Sequence, residues 1–382
     1  MEMPQSGKSC GELKDILVER GQGDAKWRDG KAAVYVFNAG LEVSEVQHGA
    51  FASAWPEGPT GAMTSGGTDS ITMALKTARD YACAEKGKSG PADIVLPQSA
   101  HPGFDKAAHL MDIEVRRVPF KSDGSYEADP GAMGEACNEN TVMMVGSAPN
   151  FPHGIIDPIA ALGEVAEAKG VWLHTDACVG GHFAPFARIN GVPVLPFDFD
   201  VPAVHSMSAH FHKYGYAAKG ASTVLFRSEA LYNHMAFDER AWSGAPMKTP
   251  TLAGTRPGGA ISAAWAVMNT LGVEGYRKKQ GLVCQTRERV EEGVKALGFE
   301  VLGKPILGLI AFRHPDHDNF AIYDEMYRKG WLTSITVDPP SLHLMLSPKH
   351  EEVIDQYLAD LAQSVATVAA GKQGEKVEAR YS

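Results

Sequence analysis

The chain has 382 residues, enough for a large core in one α/β domain with a smaller appendage, or in two or three domains. Its composition is that of an ordinary soluble protein. A formal net charge of −10 argues against a general nucleic-acid binder and against anionic membrane surfaces, while leaving room for a local basic pocket. Cys10, Cys83, Cys137, Cys178 and Cys284 are scattered and form no CxxC pair, which predicts reduced thiols in a cytoplasmic protein and no metal site. No apolar leader and no run of bilayer length is evident, so a soluble chain is expected.

Residues 1–60 read as an N-terminal arm. Within it, Cys10–Arg20 is expected to be a short helix with Leu13, Ile16 and Leu17 on one side, and Ala32–Phe37 a short strand carrying Tyr35. Ala50–Pro59 reads as an irregular connection. Ala62–Ser70 is predicted as a turn opening a helix that runs to about Lys86, with Ile71, Leu75 and Ala78 spaced for one buried face. Strand-like runs then follow at Ile94–Leu96, Val115–Val118, Val142–Val145 and Val171–His174. Helical runs fall between them at Phe104–Met111, Pro130–Cys137 and Pro158–Lys169. Continuous apolar runs alternating with helices predict a mostly parallel sheet covered on both faces, with ligands at the carboxyl ends of its strands. After a strand-like run at Ser222–Phe226 the pattern is irregular up to a loop at Gly254–Gly259. That loop opens helices expected over Ala260–Leu271 and about Tyr276–Leu297. Further on, Gly308–Phe312, Phe320–Lys329, Leu342–Leu346 and His350–Ala369 read strand, helix, strand, helix. The expected division is a large domain over 61–272 and a small C-terminal α+β domain over 273–382.

Four features carry chemistry. Lys213, with His212 before it, is expected in a turn at the edge of the sheet, between an apolar run at Pro202–Val204 and the Ser222 strand. An amine that has shed its proton condenses with an aldehyde, and an ammonium does not. Asp176 follows a buried-type strand, where a carboxylate can pair with a cationic ring nitrogen. The glycines after it, Gly180 and Gly181, would let a flat group approach the backbone. Thr64-Ser-Gly-Gly-Thr-Asp-Ser70 offers backbone N–H groups at a helix start, which suits a phosphate. His101, in a loop after a strand, can stack on a planar group or relay a proton. Each has an ordinary alternative: a solvated loop lysine, a turn aspartate, a plain helix cap, a surface histidine. Taken together in this chain order they describe a site for pyridoxal 5′-phosphate acting as an electron sink.

The chain resembles the sphingosine-1-phosphate lyases, within the fold-type I pyridoxal phosphate enzymes close to the amino-acid decarboxylases. The similarity spans nearly the whole length. It is densest in Thr64-Ser-Gly-Gly-Thr68, Pro97-Gln-Ser-Ala-His101, Phe151-Pro-His-Gly-Ile-Ile-Asp-Pro158, Asp176-Ala-Cys-Val-Gly-Gly181, His212-Lys-Tyr-Gly-Tyr-Ala-Ala-Lys-Gly220 and Leu252-Ala-Gly-Thr-Arg-Pro-Gly-Gly259. The resemblance implies a fold-type I architecture, with a mostly parallel central sheet, helices on both faces and a small C-terminal α+β domain. It implies that Lys213 holds the cofactor as a Schiff base and that Gly67, Thr68 and His212 contact its phosphate. His101 would stack on the ring and Asp176 pair with its nitrogen. Tyr35 and Lys219 would lie near the substrate phosphate and the reacting atoms. The family forms homodimers with shared sites, so the Gly254–Gly259 loop, Gly258 included, would reach the partner's cofactor.

Two departures stand out. The family has Asp-Thr before His-Lys, where this chain has His210-Phe211. Its Asn-Pro-Leu-His loop also has no counterpart before the Ser-Gly-Gly-Thr turn. The activity expected from the resemblance is retro-aldol cleavage of a phosphorylated long-chain base to phosphoethanolamine and a fatty aldehyde, with the C3 base open between Tyr35 and the substrate's own phosphate. The alternatives are an amino-acid decarboxylase on the same scaffold and a cofactor-binding relative with reduced or no turnover.

Overall fold

Strand β2 (Ala92–Pro97) sends Ile94 and Leu96 into one apolar cluster and Val95 into another, and all three are fully buried. This alternation, repeated along neighbouring strands, builds a sheet with a core on each face. The computed structural model describes residues 3–20, 59–254, 256 and 258–374. The expected strand at 32–37, with Tyr35, lies outside the described residues, as does all but the last residue of the connection expected at 50–59.

The sheet has seven strands: β1 (Thr60–Thr64), β2, β3 (Ile113–Val118), β4 (Thr141–Ser147), β5 (Trp172–Asp176), β6 (Val204–His210) and β7 (Ser222–Phe226). Their spatial order is β1-β7-β6-β5-β4-β2-β3, and β7 alone runs against the others. One face is covered by α2 (Gly67–Lys86) and α3 (Gly103–Leu110), which follow the short arm helix α1 (Cys10–Arg20). The other is covered by α4 (Pro130–Ala136), α5 (Ile159–Lys169) and α6 (Ala184–Ile189). The irregular stretch after β7 holds α7 (Glu229–Asn233) and the hairpin β8 (Phe237–Glu239) and β9 (Met247–Thr249).

Helix α8 (Gly258–Ala296) is broken at Gly272, whose φ of 59° and ψ of −178° only glycine adopts without strain. The break frees the N–H groups of Val273 and Glu274, which donate to the carbonyls of Pro4 and Gln5. The arm thus fills the gap in the helix. Beyond α8, a four-stranded antiparallel sheet has the order β10 (Glu300–Val301), β11 (Leu309–Arg313), β13 (Pro340–Met345), β12 (Ser334–Val337). It packs with α9 (Asn319–Arg328) and α10 (Ile354–Ala369) into the same core cluster as α5 and α6.

Three expectations change. Thr60–Thr64 is a strand, so the phosphate-type turn shrinks to Ser65-Gly66 and α2 starts at Gly67. Ser206–His210 belongs to strand β6, so the turn that carries Lys213 begins only after His210. The alternating serines hid that strand: Ser206 and Ser208 are buried but hydrogen-bonded to neighbours, so an apolar pattern was absent. The last helix starts at Ile354, after a separate 3-10 turn at Pro348–Glu352.

Candidate active site

The carboxyl ends of β2, β4, β5 and β6 and the first residues of α2 line a cleft of about 220 Å³. Gly67 and Thr68 come from α2, His101 from the loop after β2, and Ser147 and Phe151 from the end of β4 and beyond. Asp176 ends β5 with Cys178 just beyond it, and His210 ends β6 with His212 and Lys213 just beyond it. Lys213, Asp176, His101, His212, Gly67 and Thr68 are therefore brought together, although they lie up to about 150 residues apart in the chain.

Lys213 is anchored by its neighbours. The hydroxyl of buried Tyr214 donates to the carbonyls of Leu346 (2.7 Å) and Gly308 (3.1 Å), which fastens the lysine turn to the small sheet. The Tyr276 hydroxyl donates to the carbonyl of Gly215 at 2.8 Å. The Lys213 Nζ lies 5.7 Å from the Phe151 ring centroid and, among the described residues, makes no hydrogen bond and no ion pair. It is held in place yet left available. His212 donates from Nδ1 to the Ala221 carbonyl at 3.2 Å, and burial lowers its pKa.

Asp176 sits at the end of a polar relay set by strand register. A bulge between Leu173 and His174 pairs His174 with Ser206 and Asp176 with Ser208. Trp172 Nε1 donates to Ser206 Oγ (2.8 Å), which also contacts His174 Nδ1 (2.8 Å). His174 Nε2 lies 3.3 Å from Ser208 Oγ, and that hydroxyl donates to Asp176 Oδ1 at 3.0 Å. Since the indole can only donate, Ser206 gives its proton to His174 Nδ1. Since Ser208 gives its own to Asp176, His174 donates from Nε2. Burial pushes His174 down to about 4, so it is a neutral imidazole. Burial would raise Asp176, but hydrogen bonding from Cys178 works against it, and its pKa is lowered. Its Oδ2 accepts nothing among the described residues. A buried, ionised carboxylate with a free oxygen suits a cationic ring N–H.

His101 accepts the Gly103 N–H on Nδ1 at 2.9 Å, and burial lowers its pKa, so it offers a locked, neutral, flat wall. At α2, the N-cap is Gly66 and no side chain caps the helix, which leaves its first N–H groups for an anion. An amine, an ionised buried carboxylate, a flat wall and an uncapped helix start are a donor set that fits pyridoxal phosphate. The glycines after Asp176 act otherwise than expected: a Cβ on Gly180 would lie 2.1 Å from the Ala148 carbonyl, so it is the chain's own backbone that closes in.

Lys219 is exposed and does not line the cleft, Gly258 lies outside the cleft of its own chain, and Tyr35 is outside the described residues. Sequence reasoning missed His174, Ser208, Cys178 and His210 as site residues. The signal was present as polar residues at every second position, 174, 176 and 178 along β5 and its exit and 206, 208 and 210 along β6.

Residues 47–315 match the pyridoxal-dependent decarboxylase conserved domain. The chain is 43% identical over 311 residues to a sphingosine-1-phosphate lyase of Oryza sativa, covering 81% of this chain and 57% of that protein. It is 35% identical to sphingosine-1-phosphate lyase 1 of Rattus norvegicus, covering 96% of this chain and 70% of the relative. The solved structure of the sphingosine-1-phosphate lyase of Burkholderia pseudomallei superposes with a TM-score of 0.81 at 33% identity, over 96% of this chain and 86% of that one. The glutamate decarboxylase of Lactobacillus brevis, at 18% identity and a TM-score of 0.73, shares the fold. The chain spans little more than half the length of the plant relatives it matches. Among the described residues no helix is long and apolar enough to cross a membrane. Pyridoxal phosphate is the cofactor of this domain, and the chain belongs to the pyridoxal-dependent decarboxylase family, within it to the sphingosine-1-phosphate lyases.

Proposed function

We propose that the protein is a carbon–carbon lyase that cleaves a phosphorylated long-chain base, such as sphingosine 1-phosphate, to phosphoethanolamine and a long-chain aldehyde. The observation that carries this reading is the convergence of Lys213, Asp176, His101 and the start of α2 on one cleft. Likeness to relatives named as sphingosine-1-phosphate lyases supports the choice of substrate.

When bound, pyridoxal phosphate supplies an electron sink for the pair left on the substrate's Cα by C–C cleavage. Lys213 holds the cofactor through its amine and gives way to the substrate amine. Asp176 keeps the ring nitrogen protonated, and His101 covers the ring. Gly67, Thr68 and His212 hold the phosphate. A base removes the C3 hydroxyl proton as the Cα–Cβ bond breaks, and Cα then takes up a proton. Tyr35 and Lys219 are assigned to the substrate's phosphate end, and Tyr35 or that phosphate is the base. We assign residues 61–272 to a cofactor-binding unit and 273–382 to a smaller one. A cytoplasmic homodimer is the proposed form, with Gly258 and its loop reaching the partner's site.

The test is incubation of the cofactor-loaded protein with sphingosine 1-phosphate, followed by assay of long-chain aldehyde and phosphoethanolamine. Lys213→Ala should lower aldehyde formation by at least about 10²-fold, the lower range for one positioned catalytic group. Equal aldehyde from the variant would remove Lys213 from the reaction. Carbon dioxide released from an amino acid, with no aldehyde from the lipid, would make the protein a decarboxylase.

A further inference from the structure

His210 stands where the related motif has an aspartate, and nothing in the proposed reaction assigns it a task. It is the last residue of β6 and only 6% exposed. Strand alternation puts it on the same side as Ser206 and Ser208, and its ring lines the cleft. A Cβ built on Gly67 would lie 1.9 Å from His210 Cε1, 2.3 Å from Nε2 and 3.1 Å from Nδ1. The nitrogen-bearing edge of the imidazole therefore faces the first residue of α2, at the uncapped end of that helix.

The protons can be placed. Cys178 Sγ lies 2.6 Å from His210 Nε2. Burial holds the Cys178 thiol well above its ordinary range, so it keeps its proton, and we assign that proton to the short contact with Nε2. Burial also lowers His210 well below the usual histidine range, so the ring is neutral and its single proton sits on Nδ1. That Nδ1 is buried and, among the described residues, has no hydrogen-bond partner. Its stacked neighbour His212, with centroids 4.9 Å apart, has already spent its own Nδ1–H on the Ala221 carbonyl. His212 therefore meets an anion through Nε2, as a donor when that nitrogen carries a proton.

We propose that His210 is a phosphate ligand of this chain, donating its Nδ1–H to the phosphate monoester of the cofactor seated at the start of α2. This rests on the reading of the cleft as a pyridoxal phosphate site. The uncapped backbone N–H groups and His210 would then share one anion, and the Cys178 thiol sets the tautomer that makes His210 a donor.

The experiment compares dissociation constants of pyridoxal phosphate and of pyridoxal, which lacks the phosphate, by absorbance titration of the cofactor-free protein. His210→Ala should weaken pyridoxal phosphate binding by roughly 10- to 100-fold, the range for a hydrogen bond to a charged group, and leave pyridoxal within about two-fold. His210→Asn, whose amide N–H can stand in for Nδ1–H, should recover most of the affinity. In the unmodified protein, the His210 Nδ1 resonance in ¹⁵N spectra should shift with pyridoxal phosphate and not with pyridoxal, a readout that needs no variant to fold. Equal weakening of both ligands would overturn the proposal and make His210 a packing residue. Unchanged affinity for both would overturn it too, as would a loss seen only with phosphoethanolamine, which would move the contact to the substrate's phosphate. If the unmodified protein bound neither aldehyde, the reading of the cleft would itself fall, and the proposal with it.

Discussion

At the residue scale the relay behind Asp176 ties the chemistry to stability. Ser208 Oγ accepts from His174 and donates to Asp176, so its loss leaves a buried imidazole N–H without an acceptor and removes one bond from the carboxylate. Leaving one buried donor unmet costs on the order of 1–3 kcal/mol. Ser208→Ala should therefore lower the urea unfolding free energy by about that amount. A change under about 0.5 kcal/mol, the size usual at indifferent surface positions, would show that the serine is not coupling the two groups. The identities of Lys213, Asp176 and His101 as site residues were legible because each has a distinctive chemistry in a telling place. Ser208, His174 and Cys178 are common fillers of buried strands, and their meaning comes from which atoms they face.

At the element scale the break in α8 joins three segments. Gly272 has no room for a Cβ, which would meet the Pro4 carbonyl at 2.7 Å and the Ser6 backbone at 2.7 Å. Any other residue must also take up a strained backbone, at on the order of 1–3 kcal/mol. Gly272→Ala should destabilise the chain by at least that much and loosen residues 4–8, with protease cleavage near the N-terminus rising in parallel. Unchanged cleavage and an unchanged melting temperature would mean that the arm is not held by this joint. The helix over 260–271 and the second from about 276 were legible from apolar spacing. That one helix would stop to receive the arm was not, because the arm's carbonyls are about 270 residues distant in sequence.

At the scale of the whole molecule, acid should unfold it. Burial pushes His153, His174, His182, His205 and His343 each down to about 4. A histidine whose folded pKa is depressed binds fewer protons than the unfolded chain between about pH 4 and 6.5. Its contribution is thus complete above 6.5 and lost as pH falls toward 4. Each is worth on the order of 3 kcal/mol at the lower limit, and five together rival the net stability of a domain, about 5–15 kcal/mol. Asp157 opposes them: burial raises it to about 7, despite N–H bonds from Ala128 and Ser147, so its contribution is lost as pH rises through neutrality. With one group against five, circular dichroism should follow loss of structure between pH 6 and 4. Denaturant stability equal at pH 5 and 7.5 would contradict this.

The sequence by itself determined the alternation of strands and helices, the parallel sheet and the chemical kinds gathered at its carboxyl rim, because these follow from local apolar spacing and from residue types that few other tasks require. The tertiary structure decided what spacing cannot carry. The bulge between Leu173 and His174 brings Ser206 and Ser208 against the β5 residues, and close packing lets only glycine at position 67 share its space with His210. The physical reason is range. Propensity and periodicity act over a few residues, whereas a proton's place on His174 or His210 depends on partners about 30 residues away, such as Ser206, Ser208 and Cys178, which only the folded register sets beside them.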